Sequence, residues 1–199
     1  GLHYFNVLGT ALILTMLAGC YHYLIDRAQA ALRAMASTDP LTQLRNRRSV
    51  FEAIRREESR VRRGQPHLSF VLCDLDHFKA INDRRGHDAG DDVLKCVSES
   101  LLAGVRDVDY VARWGGEEFL AVLPDTDTQG AALVADRLRR SVEALTPKVG
   151  SECLRVTDTL GIATLADGET AEQAIARADA ALYEGKRGGR NRVVVAAAP

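Results

Sequence analysis

The sequence is short of most features that would assign it quickly. Its four cysteines, Cys20, Cys73, Cys96 and Cys153, show no CxxC spacing, and two of them stand inside apolar runs. That pattern reads as reduced core thiols in a cytosolic domain. Five histidines are scattered, with no paired metal-ligand spacing. No charge excess exists either. A net charge of -1 excludes the global basic field expected of a nucleic-acid binder and the acidic surplus expected of a disordered chain. Internal repeats and low-complexity tracts are absent. What remains, 199 residues of which 46% are hydrophobic and 27% charged, suits one globular domain with residues left over. Gly1, not Met, stands first, which leaves room for sequence upstream.

A further absence is local. Residues 2–25 contain no Asp, Glu, Lys or Arg. As a helix they would rise roughly 36 Å, enough to cross a hydrocarbon core. Tyr4 and Phe5 at one end, and Tyr21 and Tyr23 at the other, resemble an aromatic belt. The apolar residues of "ALILTMLAG" go all round such a helix. Residues 1–25 are therefore expected to be a transmembrane helix. The alternatives are a helix buried against a missing partner domain, or a signal sequence. The signal sequence fits poorly, because a basic n-region is lacking and the apolar core is long. Arg27 and Arg33 place the C-terminal side in the cytoplasm.

Leu24, Ala28, Ala31 and Met35 are spaced 4, 3 and 4. Residues 26–38 thus read as a linker helix with a short coiled-coil seam that pairs two copies, though an ordinary amphipathic helix fits as well. "STDP" at 37–40 breaks the helix and opens a soluble domain at 39–199.

From there the pattern alternates. Helices are expected at 47–63, 89–105, 128–145 and 171–183, and strands at 68–76, 109–113, 118–123, 154–163 and 193–195. From Leu68 the order is β-α-β-β-α-β with additions. That predicts an α+β, ferredoxin-like split βαβ core, with a mostly antiparallel sheet and helices on one face.

Two places carry chemistry. Asp74 and Asp76 end an apolar strand two residues apart, so both carboxylates share a face. They repel unless a cation or basic group lies between them. "RWGGEEF" at 113–119 presents Glu117 and Glu118 directly after a glycine pair. A hairpin would bring Glu117 beside Asp74, and carboxylates from two segments suit magnesium. The plainer reading is a hairpin turn in which both glycines take φ > 0. The nucleotide reading is a turn whose missing Cβ atoms let a ligand approach the backbone. "KRGGRNR" at 186–192 holds four cations and two glycines, a solvated surface or a phosphate clamp.

These residues identify a family. "DPLTQLRNRR", "DLDHFKAINDRRGHDAGDDVL", "RWGGEEF", "LGIA" and "ADAALYEGKRGGRNRV", in order over residues 39–193, resemble the GGDEF domains, the diguanylate cyclases of bacterial signalling. The resemblance implies a nucleotidyl-cyclase fold. It implies condensation of two GTP molecules into cyclic di-GMP and two pyrophosphates across a homodimer, each protomer holding one GTP. It assigns magnesium, with manganese as an alternative, to Asp74, the Leu75 carbonyl and Glu117. Glu118 would assist the metal or the 3'-hydroxyl. Lys79, Lys186 and Arg190 would contact the triphosphate, Asn82 and Asp91 would read guanine, and Phe78, Gly115 and Gly116 would line the nucleotide. Arg106 and Asp109, an RxxD motif, with Arg137, would form a product-inhibition site for cyclic di-GMP. Joined to the membrane helix expected at 1–25 and to Arg27 and Arg33, the bacterial resemblance puts the domain on the cytoplasmic side of a bacterial inner membrane, and the lack of a basic excess leaves no nucleic-acid partner expected. Two departures stand out: Gly185 where the family usually has alanine, and Thr159 where serine is common. A silent GGDEF module that only binds GTP or cyclic di-GMP is the alternative.

Overall fold

A computed structural model describes residues 14–25, 27, 37–64, 67–149 and 152–199. The chain divides into a unit at Gly1–Ser37 and a unit at Thr38–Pro199. In the first, residues 14–25 are helical with exposed side chains. Among the described residues no helix is long and apolar enough to cross a membrane. The membrane span expected over residues 1–25 is therefore not supported, although its first thirteen positions, 1–13, lie outside the described residues. Of the expected coiled-coil seam, Ala28, Ala31 and Met35 also lie outside them.

The second unit is built on β2 (Leu68–Leu75), which is buried at every position. Leu68, Phe70 and Leu72 enter one core while Val71, Cys73 and Leu75 enter the other. A strand apolar on both faces must be covered on both. β4 (Glu118–Pro124) does the same, with Leu120 and Val122 on one side and Phe119, Ala121 and Leu123 on the other.

β3 (Tyr110–Arg113) and β7 (Asp158–Thr164) complete an antiparallel centre. The edge strands β1 (Arg45–Asn46) and β8 (Val193–Val195) add parallel to β3 and β7, giving the order β1-β3-β4-β2-β7-β8. The split βαβ core is present as expected. Its helices α3 (His87–Ala103) and α4 (Thr128–Glu143) cover one face.

The expectation of helices on one face alone is corrected by α1 (Arg47–Val61) and α5 (Ala171–Arg187), which pack on the opposite face. Local signals start these helices. Asn46 accepts from the Ser49 N–H, Asp127 accepts from the Gly130 N–H, and Thr170 and Gln173 form a capping box.

Four elements escaped the periodicity, the first of them the two-residue edge strand β1. α2 (Phe78–Arg85) buries only Phe78, so it has no apolar stripe to detect. A two-stranded hairpin, β5 (Lys148–Val149) and β6 (Glu152–Cys153), stands outside the main sheet, and β7 begins four residues later than expected. Of the cysteines only Cys73 is a core thiol. Cys96 is half-buried and Cys20 and Cys153 are exposed, all free.

Candidate functional site

The ends of β2, β4 and β7 converge. Asp74 pairs in register with Glu118 on one side and Thr159 on the other. Asp74 is 5% exposed. Oδ2 meets the Lys186 ammonium at 2.6 Å, from the last turn of α5, while Oδ1 is buried with no partner among the described residues. Burial raises the Asp74 pKa, and Lys186 opposes that only in part. Glu117 and Glu118 are raised as well, first by burial and then by the charge of Asp74. Three carboxylates thus share one lysine; each resists ionisation first because it is buried, and Glu117 and Glu118 further because Asp74 is close. A divalent cation would relieve that. Among the described residues no three His, Cys, Asp or Glu converge as a complete metal cage. The set fits an open site, with Asp74 and Glu117 as ligands and phosphate oxygens supplying the rest.

Asp76 does not join this cluster. Thr157 and Thr159 hydroxyls donate to it at 2.7 Å each, and the Asn191 N–H at 3.0 Å. Asp76 is thus satisfied by donors of its own, not by a cation or basic group between it and Asp74.

The signature turn is held from outside. Leu75 N–H donates to the Glu117 carbonyl at 3.3 Å. Trp114 and Gly115 N–H groups donate to the Glu118 carbonyl at 2.8 and 3.2 Å. Arg113 forks onto the Gly116 carbonyl through Nε (3.3 Å) and Nη2 (2.8 Å), and reaches Asp39 at 3.1 Å. Burial would raise Asp39, yet hydrogen bonds from Thr42 and Arg113 hold its pKa below the ordinary value. The sequence motifs contained both residues, but only the fold joins them. Neither Gly115 nor Gly116 has positive φ, so the expected left-handed turn is not formed. Gly115 has another use: a Cβ there would meet the Glu118 carboxylate and displace it. Arg47 and Asp179, which periodicity did not single out, add opposite charges near Glu118. They line a cavity of about 350 Å³ with Phe51 and Trp114.

The proposed base readers lie on α2 and α3. Phe78 is buried, Lys79 is exposed, and Asn82 and Asp91 are half-buried. Asn82 Oδ1 is buried without a partner, an acceptor left for a donor such as a guanine N–H. Gly90 leaves the room: a Cβ there would strike the Asn82 side chain and approach the Phe78 ring at 3.0 Å. Arg190 is exposed in the loop after α5, beside Asp74 electrostatically.

The two departures explain each other. A Cβ on Gly185 would lie 2.6 Å from the Thr159 methyl carbon. The extra methyl of threonine takes the space that alanine would fill. Thr159 keeps its hydroxyl on Asp76.

The RxxD residues form a second cluster. Asp109 Oδ2 accepts from the Arg106 N–H at 2.8 Å, and Asp109 N–H donates to the Arg106 carbonyl at 3.0 Å. Asp109 Oδ1 is buried and unpartnered, and the Arg106 side chain is exposed. Arg137, from α4, donates twice to the carbonyl of Gly104, the C-cap of α3, at 3.1 and 2.7 Å. All three residues thus gather near the α3 C-terminus.

Comparison with known proteins agrees with this geometry. The family described as diguanylate cyclase, GGDEF domain, matches residues 36–192. The chain is 41% identical over 180 residues to the diguanylate cyclase DgcP of Pseudomonas aeruginosa, covering 90% of this chain and 26% of that protein. It is 41% identical over 167 residues to the response regulator PleD of Caulobacter vibrioides, covering 82% and 37%. It thus spans roughly a quarter to two fifths of these curated relatives. Among solved structures, the GGDEF domain of DgcB from Caulobacter crescentus in complex with c-di-GMP superposes with a TM-score of 0.77 at 35% identity, covering 80% of this chain and 95% of that one. By its sequence, its fold and the residues at its strand ends, this chain belongs to the GGDEF family of diguanylate cyclase domains.

Proposed function

We propose that this chain is a diguanylate cyclase that condenses two GTP molecules into cyclic di-GMP and two pyrophosphates. The observation that carries the reading is the buried Asp74, with one oxygen open, beside Glu117 and Glu118 of the signature turn and Lys186 of α5. Asp74, Glu117 and the Leu75 carbonyl would hold magnesium or manganese, which when bound polarises the phosphates and offsets charge developing in the displacement. Lys186 neutralises Asp74 in the free protein and is placed to turn to phosphate when a cation takes over. Lys79 and Arg190 add charge along the triphosphate. Asn82 and Asp91 select guanine, because a wrong base would leave buried polar groups unpaired. Glu118 assists the metal or the attacking hydroxyl.

Each protomer holds one nucleotide, so two copies must face each other for the 3'-hydroxyls to attack. That alignment is the main catalytic contribution. Arg106, Asp109 and Arg137 would bind product and restrain the enzyme, a reading supported by the c-di-GMP complex of the related DgcB domain. Placement of the domain at the cytoplasmic face of a bacterial inner membrane rests on the composition of residues 2–25, on Arg27 and Arg33, and on the family.

The test is product formation. The purified chain is incubated with magnesium and GTP, and separately with ATP, and the nucleotides are resolved by chromatography. Cyclic di-GMP from GTP alone is the expected result. Silence that persists when two copies are joined through a fused coiled coil would overturn the reading in favour of a binding module.

A further inference from the structure

Residues 189–191 follow one another in the left-handed region, with φ of 115° at Gly189, 63° at Arg190 and 44° at Asn191. Glycine adopts this at no cost, but arginine does not. Such a run persists only where the surroundings over-determine it. Here they do, through Asn191. Its N–H donates to Asp76 Oδ2 at 3.0 Å. Its side-chain nitrogen donates to Glu143 at 2.7 Å, and its side-chain oxygen accepts from Arg139 at 2.8 Å. Arg139 and Glu143 are themselves paired at 2.8 Å on α4. Asparagine suits the place because it tolerates left-handed backbone and offers a donor and an acceptor together.

Both ends of the segment are therefore tied to one strand end. Lys186 is held by Asp74, and Asn191 is held by Asp76 two residues further on. Arg190 lies between them, and its guanidinium makes no hydrogen bond among the described residues. We infer that Asn191, with Asp76 and the Arg139–Glu143 pair, is a positioning unit: it fixes the left-handed loop and so aims Arg190 at the triphosphate. The inference rests on the reading above that Lys186 and Arg190 hold phosphate. It also gives Asp76 a task distinct from that of its neighbour Asp74.

Asn191→Gly tests it, because glycine keeps the left-handed backbone and the N–H to Asp76 while losing both ties to α4. Arg139→Ala, on the other side of the contact, is the second variant. Affinity is measured by calorimetry for a GTP analogue with a methylene bridge between the α and β phosphorus atoms, and for GMP. Melting is followed in parallel. Both variants are expected to bind the analogue about tenfold more weakly while GMP, held through its base, changes less than twofold. In turnover assays the loss is expected in KM more than in kcat. Lys186→Ala and Arg190→Ala serve as controls. If they leave analogue affinity unchanged, the phosphate reading fails and takes the inference with it. If they weaken it while Asn191→Gly and Arg139→Ala do not, the inference alone is overturned. Equal loss of analogue and GMP binding with lowered melting would mean a merely structural role, and would overturn it too.

Discussion

Asp74 and Asp76 stand two residues apart at one strand end, and both are buried. Asp76 is closed by three donors. Asp74 keeps an unpartnered oxygen and one lysine, and its pKa is raised. Residue type and burial are the same, so the partner set decides which acid is part of the scaffold and which waits for a ligand. Asp158 on the adjacent strand is an extreme case. It is fully buried, its one side-chain partner among the described residues is the Cys73 thiol at 3.0 Å, and burial pushes its pKa to about 7.

The largest effect expected from this comparison concerns activity. Asp74→Asn should lower cyclic di-GMP synthesis by about 10³-fold, since a transition-state charge contact is lost. The melting temperature should not fall, because a poorly compensated buried charge disappears. A large loss of stability in this variant would break the distinction between the two acids.

Asp76→Ala should do the reverse in denaturant titrations. Leaving two threonine hydroxyls and a backbone N–H without an acceptor should cost about 3 kcal/mol. An unchanged midpoint would show that its hydrogen bonds are incidental.

Asp158 predicts a pH dependence. Its folded pKa lies above the unfolded value near 3.8, so the folded state binds the proton more tightly. Its contribution therefore favours folding at low pH and is lost as pH rises between about 4 and 7, by up to about 1.4 kcal/mol per unit. Asp158→Asn should flatten that part of the stability profile and stabilise the protein at pH 7.5. An unaltered profile would count against the assignment.

The smallest effect is a packing cycle. Gly185→Ala should destabilise by about 1 kcal/mol through crowding against Thr159, and Thr159→Ser by a similar amount through the space it leaves. The double variant should recover most of both losses, and simple additivity would refute the compensation.

Much of the site was legible because the family's residues cluster in short motifs. "DLDHFKAIND" and "RWGGEEF" named Asp74, Asn82, Glu117 and Glu118 directly. What stayed hidden was long-range. Asp39 and Arg113 are 74 positions apart, and Asp76 and Asn191 are 115 apart. No local pattern joins such pairs. The coverage of the sheet on both faces was visible in principle, since β2 carries apolar residues on both faces, Leu68, Phe70 and Leu72 on one and Val71, Cys73 and Leu75 on the other. α2 was not visible, because a helix that buries only Phe78 leaves no periodic trace.

Sequence alone determined the order of the core elements, the split βαβ arrangement and the identity of the acids and cations, because these follow from local pattern and motif. Tertiary structure decided what each charged group does. Whether a carboxylate is a ligand or a brace depends on which donors distant strands and helices bring to it. That is why Asp74 is open and Asp76 closed.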